Sequence, residues 1–292
     1  MIYYTGDIHG MPWNIISFCK KVKTTKDDTI VILGDVGANY YGDSRDTECK
    51  RQLSKVNPTV LCIHGNHEIR PNSIPTYKTK EWNGGTVWFE ETYPNLLFAK
   101  DGEIFDIEGI RHLVIGGAYS VDKHYRLARG YGWWADEQPS DEIKAYVEQQ
   151  IANRDFDVIL SHTCPLKYEP VEMFLTMIDQ STVDKSTEIW LDSIEGRVKY
   201  KAWFCGHWHT NKRIDKMHFL YGDFELSSIL KEQEFIDEAK TVAYSQACIK
   251  PKSIRMISLN GTSRIGTIRD RGTCLLRGLW IWYIFHPNLE HF

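Results

Sequence analysis

The sequence predicts an α/β protein, and three observations lead to that fold class. Short apolar runs recur along the chain, helix-like segments separate the first of them, and a group of short apolar segments divided by turns follows. Strands that alternate with helices are typical of a parallel sheet. Short strands divided by tight turns are typical of an antiparallel one. The chain of 292 residues is long enough for one large domain or two small ones.

Five apolar runs of three to five residues, each closed by glycine or a polar residue, predict strands. They span residues 2–5, 29–33, 59–63, 158–160 and 202–205. Because the runs are almost continuously apolar, we expect both faces of each strand to be buried.

Apolar spacing predicts helices over residues 13–22, with Trp13, Ile16 and Cys19 on one face, and over residues 45–56. Four short runs, at 86–89, 95–98, 103–107 and 112–115, predict a second, antiparallel sheet. Later helices are predicted from Ser140, as N-cap, to about residue 153, over residues 171–178, and over residues 186–194 with Ser186 as cap.

Composition narrows the class of protein further. A net charge of −4 provides no strong signature of nucleic-acid binding, and no run is long enough for a membrane span. The first residues lack the pattern of a signal peptide. The seven cysteines are scattered without a C-x-x-C pair, which favours a reducing cytoplasm. We expect a main domain over residues 1–225 and a C-terminal extension of uncertain order over residues 226–292, while the oligomeric state stays open.

Polar residues follow all five predicted strands, and the carboxyl ends of parallel strands share one edge of a sheet. The segments that follow the strands offer seven candidate metal ligands among their Asp, Asn and His side chains. Carboxylate, amide and imidazole donors without thiolate suit Mn, Fe, Zn, Co or Ni. Seven ligands exceed the need of one ion, so the set predicts two ions, roughly 3.5 to 4 Å apart, sharing a carboxylate.

At these residues the chain resembles the calcineurin-like metallophosphoesterase family. The matching blocks, in the family's order, are Asp7-Ile8-His9, Gly34-Asp35, Gly65-Asn66-His67-Glu68, His162 and Gly206-His207-Trp208-His209. The resemblance implies a two-layer mixed β-sandwich flanked by helices (αββα). It also implies a dinuclear site, of Mn or a related divalent or trivalent metal, at the carboxyl ends of the strands.

The resemblance also implies a role for each residue. One metal would take Asp7, His9 and His209, the other would take Asn66, His162 and His207, and Asp35 would bridge them. His67 would protonate or stabilise the leaving oxygen, while a hydroxide between the metals attacks phosphorus. In one branch of the family an Asp that pairs with the catalytic histidine stands where this chain has Ala38, and Asp43, Asp46 and Glu68 are alternative partners.

These residues predict a hydrolase of phosphomonoesters, whose substrate is a small molecule, a nucleotide or a phosphoprotein. Arg126, in a segment rich in aromatic and basic residues after a predicted strand, is the expected phosphate-binding residue. The alternative reading is a solvated loop packed by its own aromatic residues. A phosphodiesterase acting on nucleotides or nucleic-acid ends is the alternative function, and a non-catalytic metal-binding module is a third.

Overall fold

The computed structural model describes residues 1–231, and their strands form two sheets. The strands are β1 (Ile2–Thr5), β2 (Thr29–Ile32), β3 (Thr59–Cys62), β4 (Lys78–Trp82), β5 (Gly85–Phe89), β6 (Leu96–Ala99), β7 (Ile104–Ile107), β8 (Ile110–Ile115), β9 (Val158–Ser161), β10 (Ala202–Cys205), β11 (Lys212–Ile214), β12 (Met217–Phe219) and β13 (Phe224–Leu226). The helices are α1 (Trp13–Val22), α2 (Ser44–Leu53), α3 (Lys123–Arg129), α4 (Asp141–Ile151) and α5 (Ser186–Glu195). Single 3-10 turns span Pro71–Ser73, Leu166–Tyr168, Val171–Met173 and Gln180–Thr182.

Both sheets are mixed, with a parallel centre and antiparallel edges. The first sheet has the order β13-β1-β2-β3-β6-β5-β4, in which β1, β2, β3 and β6 run parallel. The second has the order β11-β12-β10-β9-β8-β7, in which β12, β10, β9 and β8 run parallel. The predicted αββα class of two mixed sheets between helices is therefore confirmed.

Three buried clusters hold the layers together. The inner cluster joins the two sheets, with Tyr4 from β1 stacked on Phe204 from β10 at 4.2 Å between ring centroids. An outer cluster packs the first sheet on α1 and α2, and the other packs the second sheet on α4 and α5. Because central strands are covered on both faces, they read as continuous apolar runs in the sequence.

The prediction of a separate antiparallel sheet in the middle of the chain is wrong. Strands β5 and β6 join the first sheet, where β6 pairs in parallel with β3, whereas β7 and β8 begin the second sheet. The run of short strands therefore passes from one sheet to the other. Apolar patterning reports burial but does not identify the strand that pairs, which depends on distant residues.

Three helix predictions also need correction. Trp13 is 63% exposed, and Ile15 with Cys19 forms the buried face of α1. Residues 171–178 contain only the turn Val171–Met173, because the backbone becomes extended at Phe174. Ser186 is not the cap of α5, because it is the first residue of the helix and Lys185 occupies the N-cap position.

The chain near residue 225 belongs to the first sheet. Strand β13 pairs antiparallel with β1, Ser227 donates its backbone N–H to Ile2, and Leu230 is buried in the inner cluster. The predicted domain boundary stays a prediction, and most of the proposed extension, residues 232–292, lies outside the described residues. Among residues 1–231, no helix has both the length and the apolar character needed to cross a membrane.

Candidate metal centre

All seven predicted ligands and His67 lie just beyond the carboxyl ends of five strands from both sheets. Strand β1 leads into Asp7 and His9, β2 into Asp35, and β3 into Asn66 and His67. From the second sheet, β9 leads into His162, and β10 leads into His207 and His209. The backbone N–H of His207 donates to Asp7 Oδ1 at 2.9 Å, so the two sheets are joined at the site itself.

Glycines bring these loops close enough for their side chains to meet. A Cβ atom on Gly65 would lie 2.1 Å from Asp35 Oδ1, and one on Gly206 would lie 2.2 Å from Asp7 Oδ1. A side chain at either position would therefore displace a carboxylate of the site. This explains why glycine stands immediately before Asn66 and His207.

The backbone is also strained where the site residues lie. His9, Asp35, His207 and His209 have φ values of 44°, 47°, 65° and 48°, in the left-handed region that side chains other than glycine seldom adopt. Such conformations cost on the order of 1–3 kcal/mol each and cluster at functional sites. Four of the nine non-glycine residues with positive φ among residues 1–231 therefore lie in this one donor set.

The first group of donors contains Asp7, His9 and His209. The Nε2 atoms of His9 and His209 lie 2.9 Å apart, and Asp7 Oδ2 lies 3.2 Å from His209 Nε2 and 3.8 Å from His9 Nε2. Asp7 is buried, while His209 is partly open to solvent. The carboxylate beside it raises the pKa of His209 through a hydrogen bond, against the opposing effect of burial.

The second group contains Asn66, His162 and His207. The Asn66 amide oxygen lies 2.8 Å from His162 Nε2 and 3.0 Å from His207 Nδ1. His162 donates from Nδ1 to the Leu33 carbonyl at 2.6 Å, so Nε2 is the nitrogen left for the site. Burial lowers the pKa of His207 well below its ordinary value.

Asp35 lies between the two groups. Its Oδ1 is 3.4 Å from His162 Nε2, and it has carboxylate atoms within 4.8 Å of donors from Asp7 and His9. Burial opposes its ionisation, but the neighbouring histidines, His162 above all, hold the pKa of Asp35 well below its usual range. In return, Asp35 raises the pKa of His162 to about 9 despite burial.

This donor set fits a pair of divalent or trivalent ions. Donor atoms separated by about 3 Å are the spacing expected when ligands bind one ion at 2.0–2.2 Å. Imidazole, carboxylate and amide donors are the types that Mn, Fe, Zn, Co and Ni accept. Asp7, His9 and His209 could hold one ion, Asn66, His162 and His207 the other, and Asp35 is placed to reach both.

His67 lies beside the donor set and faces an acidic residue. Its ring centroid is 5.5 Å from that of His9, and its backbone N–H donates to Asp35 Oδ1 at 2.8 Å. His67 Nε2 lies 3.9 Å from Asp122 Oδ1. Burial lowers the pKa of His67, with Asp35 and Asp122 acting in the opposite direction. Its donors also come within 4.8 Å of those of His9 and Asp35, so geometry alone permits His67 as a fifth imidazole ligand.

The residues considered earlier as partners of His67 are engaged elsewhere. Asp43 caps α2 and pairs with Arg45, and Asp46 accepts the backbone N–H groups of Tyr41 and Gly42. Glu68 accepts the N–H of Gly65 and is buried, which raises its pKa to about 8. Among the ion pairs of residues 1–231, the carboxylate that lies nearest to His67 Nε2 is that of Asp122. The sequence analysis did not single out this residue.

Arg126 lies in the helix α3 and is buried, whereas the sequence predicts a loop here that either binds phosphate or is solvated. Only 1% of its surface is exposed, and Nη1 donates to Ser120 Oγ at 2.8 Å. The same Oγ accepts a hydrogen bond from Asn66 Nδ2 at 2.8 Å and donates to Glu137 at 2.5 Å. Arg126 therefore supports the loop that carries Asn66, and it does not line the cavity next to the metal ligands.

A cavity of about 410 Å³ opens directly beside the donor set. His9, Asp35, Asn66, His67, His207 and His209 form one side of it. The rest of the lining comes from residues 119–122, from Trp208 and from residues 169–188, a segment in which the sequence predicts helices over residues 171–178 and 186–194. A smaller cleft of about 180 Å³, lined by His9, Gly37, Tyr40, Tyr41 and His67, lies next to the same donors.

One signal in the sequence could have revealed Ser120 and Asp122. Both follow β8, which is parallel to β9 and ends at the same edge of the sheet. The rule that identified the ligands after β9 applies equally to β8. The sequence analysis did not apply this rule to β8, because it predicts β8 in an antiparallel sheet.

The fold and this site define an αββα protein with a candidate two-metal centre at the strand ends. A family model described as "Calcineurin-like phosphoesterase" matches residues 1–211, and the chain belongs to this family. No curated protein matches the sequence.

The solved structures that match the chain do so at low sequence identity and low TM-score. The protein TT1561 of Thermus thermophilus is 12% identical, with a TM-score of 0.45, over 75% of this chain and 87% of that one. The phosphopantetheinyl hydrolase PptH from Mycobacterium tuberculosis is 14% identical, with a TM-score of 0.36 and the same two coverages, 75% and 87%. A protein of unknown function from Aquifex aeolicus, AQ665, is 13% identical, with a TM-score of 0.26, over 82% and 98%.

Proposed function

We propose that this protein hydrolyses phosphomonoesters with the help of two bound metal ions. The observation that carries the proposal is the convergence of seven side chains of metal-ligand type on one edge of the sandwich, directly beside a cavity of about 410 Å³. When bound, such ions polarise phosphoryl oxygens and provide a water-derived nucleophile at neutral pH. Mn is the ion we would supply first, with Fe, Zn, Co and Ni as alternatives.

The chain's own residues have distinct tasks in this proposal. Asp35 joins the two ligand groups, and the hydrogen bond from His162 Nδ1 to Leu33 holds the ring so that Nε2 faces the site. His67 lines the cavity beside the ligands and gives a proton to the leaving oxygen. Asp122, near His67 Nε2, favours the charged imidazole that such a step requires.

A phosphodiesterase is the second candidate, and the cleft beside Tyr40 and Tyr41 favours it. His9 and His67 line both this cleft and the larger cavity, so a substrate with two ester groups would find one space for each. A monoester carries one more negative charge than a diester, and Arg126 was the cation expected to bind it. Arg126 is buried and does not line the cavity.

The test compares p-nitrophenyl phosphate with bis-p-nitrophenyl phosphate on protein reconstituted with Mn. We expect kcat/KM to be higher for the monoester. A preference for the diester that is lost in Tyr40→Ala would make the phosphodiesterase the better assignment. Binding of Mn without hydrolysis of either ester would favour the non-catalytic module.

A further inference from the structure

The large cavity has two chemically different sides. One side is the donor set with His67, described above. The opposite side is apolar and consists of Val121, Met173, Phe174, Leu175, Ile178 and Val183, with Trp208 at their border with the ligands. The ring of Phe174 stacks on that of Trp208, with 5.7 Å between the centroids, so this apolar side is in contact with a neighbour of the ligands His207 and His209.

Part of the apolar side is open to solvent. Leu175 is 53% exposed, Met173 39% and Val121 37%, although each lines the cavity. A cluster of exposed apolar side chains next to polar catalytic groups is typical of a ligand-binding surface. A volume of about 410 Å³ falls in the range of sites for small molecules, which is roughly 300–1,000 Å³.

The cavity wall also contains three charged side chains, two of which form an ion pair with each other. Lys185 Nζ donates to Glu169 Oε2 at 2.6 Å. Glu188 is 4% exposed, and its Oε1 accepts a hydrogen bond from Thr163 Oγ1 at 2.8 Å. The other oxygen of Glu188, Oε2, is buried and has no hydrogen-bond partner. A buried acceptor without a donor is costly, on the order of 1–3 kcal/mol, unless a ligand supplies the donor.

We propose that the cavity selects phosphoesters whose leaving group is an elongated apolar chain or ring that carries a hydrogen-bond donor for Glu188. The proposal rests on the proposed phosphoesterase function and adds the class of substrate to it. The phosphoryl group lies at the donor set, the apolar part covers Leu175 and its neighbours, and the donor reaches Glu188 Oε2. A leaving group that ends in an anion is disfavoured, because Lys185 is already paired with Glu169 and the Glu188 carboxylate is itself negative above the pKa of about 7 to which burial raises it.

The test uses ethyl phosphate, hexyl phosphate, 6-hydroxyhexyl phosphate and 5-carboxypentyl phosphate on the Mn-loaded full chain. We expect kcat/KM to rise at least about tenfold from ethyl to hexyl phosphate, since each buried methylene is favourable by about 0.8 kcal/mol. The hydroxyl-bearing ester should exceed the carboxylate-bearing ester by a further factor of about ten. Equal kcat/KM values for all four esters would overturn the proposal while leaving the phosphoesterase function intact.

Variants separate the two parts of the site. Leu175→Ser should reduce the ratio of kcat/KM for hexyl phosphate to kcat/KM for ethyl phosphate several-fold, whereas Met177→Ser should leave this ratio unchanged. Met177 is the matched control because it lies in the same loop, is 85% exposed and does not line the cavity. Glu188→Gln should reduce the difference in kcat/KM between 6-hydroxyhexyl phosphate and 5-carboxypentyl phosphate. If both loop variants behave alike, the apolar side does not bind the leaving group.

Binding provides a readout that does not depend on turnover. Calorimetric titration with hexylphosphonate and ethylphosphonate should show tighter binding of the longer chain, and Leu175→Ser should remove most of the difference. If no phosphoester is hydrolysed but this length dependence holds, the cavity assignment stands and the proposed function is wrong. If phosphonate binding ignores chain length, the cavity assignment is wrong.

Discussion

Ser120 Oγ lies 2.8 Å from Asn66 Nδ2, and this hydrogen bond sets the orientation of the Asn66 amide. With its nitrogen bound to Ser120, the amide directs its oxygen to His162 and His207, at 2.8 and 3.0 Å. Arg126 and Glu137 hold Ser120 in turn. A buried chain of polar groups thus connects α3 to a predicted metal ligand, and residues with no direct part in the chemistry control the site.

Removal of metal should abolish activity. Two groups of donors with spacings of about 3 Å provide binding sites, and without ions the proposed reaction has no nucleophile at neutral pH. Chelation followed by dialysis should eliminate hydrolysis of p-nitrophenyl phosphate, and Mn should restore it. Undiminished activity in protein shown to be metal-free by elemental analysis would contradict the two-metal proposal.

Substitution of His67 should separate catalysis from metal binding. We expect His67→Asn to lower kcat by roughly 10² to 10⁴, as for loss of a general acid, with metal content close to that of the wild type. Asp35→Asn should instead lose metal, because Asp35 lies between both ligand groups. His124→Asn, an exposed histidine in α3, is the control and should change neither quantity. Loss of metal from His67→Asn would make His67 a ligand.

Arg126→Ala should weaken metal retention and stability instead of acting on one class of substrate. It removes the donor to Ser120 Oγ and leaves a void beneath Asn66, so we expect a loss of about 2–4 kcal/mol in the free energy of unfolding. Monoester and diester turnover should fall together. Arg129→Ala, an exposed arginine of the same helix, is the matched control. A selective loss of monoester turnover with full metal content would instead support direct phosphate binding by Arg126.

Acid should destabilise the protein partly through His112. This ring is buried between Tyr4, which donates to Nε2 at 2.7 Å, and the Ile110 carbonyl, which accepts from Nδ1 at 2.8 Å. Burial lowers the pKa of His112 from 6.5 to about 4. Between these values the unfolded chain binds the extra proton and the folded chain does not, so stability falls as the pH drops from about 6.5 to 4.

The measurement is urea unfolding of the metal-free wild type and His112→Gln at pH 7 and pH 4.5. The wild type should lose on the order of 2–3 kcal/mol more than the variant between the two pH values. The same loss in both proteins would show that His112 does not contribute to the acid sensitivity.

Truncation should show where the folded domain ends. A chain that stops at Glu225 cuts β13 and removes the Ser227 hydrogen bond to Ile2 and the buried Leu230 side chain, so we expect lower stability. A chain that stops at Lys231 keeps these contacts and should unfold at a higher urea concentration. Equal midpoints for the two chains would mean that this edge of the sheet contributes little.

The sequence by itself predicts the central strands from local apolar pattern, and the seven candidate ligands were chosen among the polar residues at the strand ends by resemblance to the phosphoesterase family. A strand covered on two faces must be apolar throughout, and the carboxyl ends of parallel strands share one edge, so polar residues such as Asp7, Asp35 and His162 could be grouped without coordinates. The glycines before Asn66 and His207 are local signals too, since a Cβ atom there would strike a carboxylate.

Only the tertiary structure assigned β5 and β6 to one sheet and β7 and β8 to the other, because strand pairing depends on residues far apart in sequence. It also showed that Arg126 is buried and donates to Ser120, and it placed Asp122 near His67. Most of the apolar side of the cavity comes from residues 171–183. Their apolar spacing predicts a helix over residues 171–178, but the structure has only a single turn there. Burial of a charge and the shape of a cavity arise from contacts between distant segments, and no local pattern of residues encodes them.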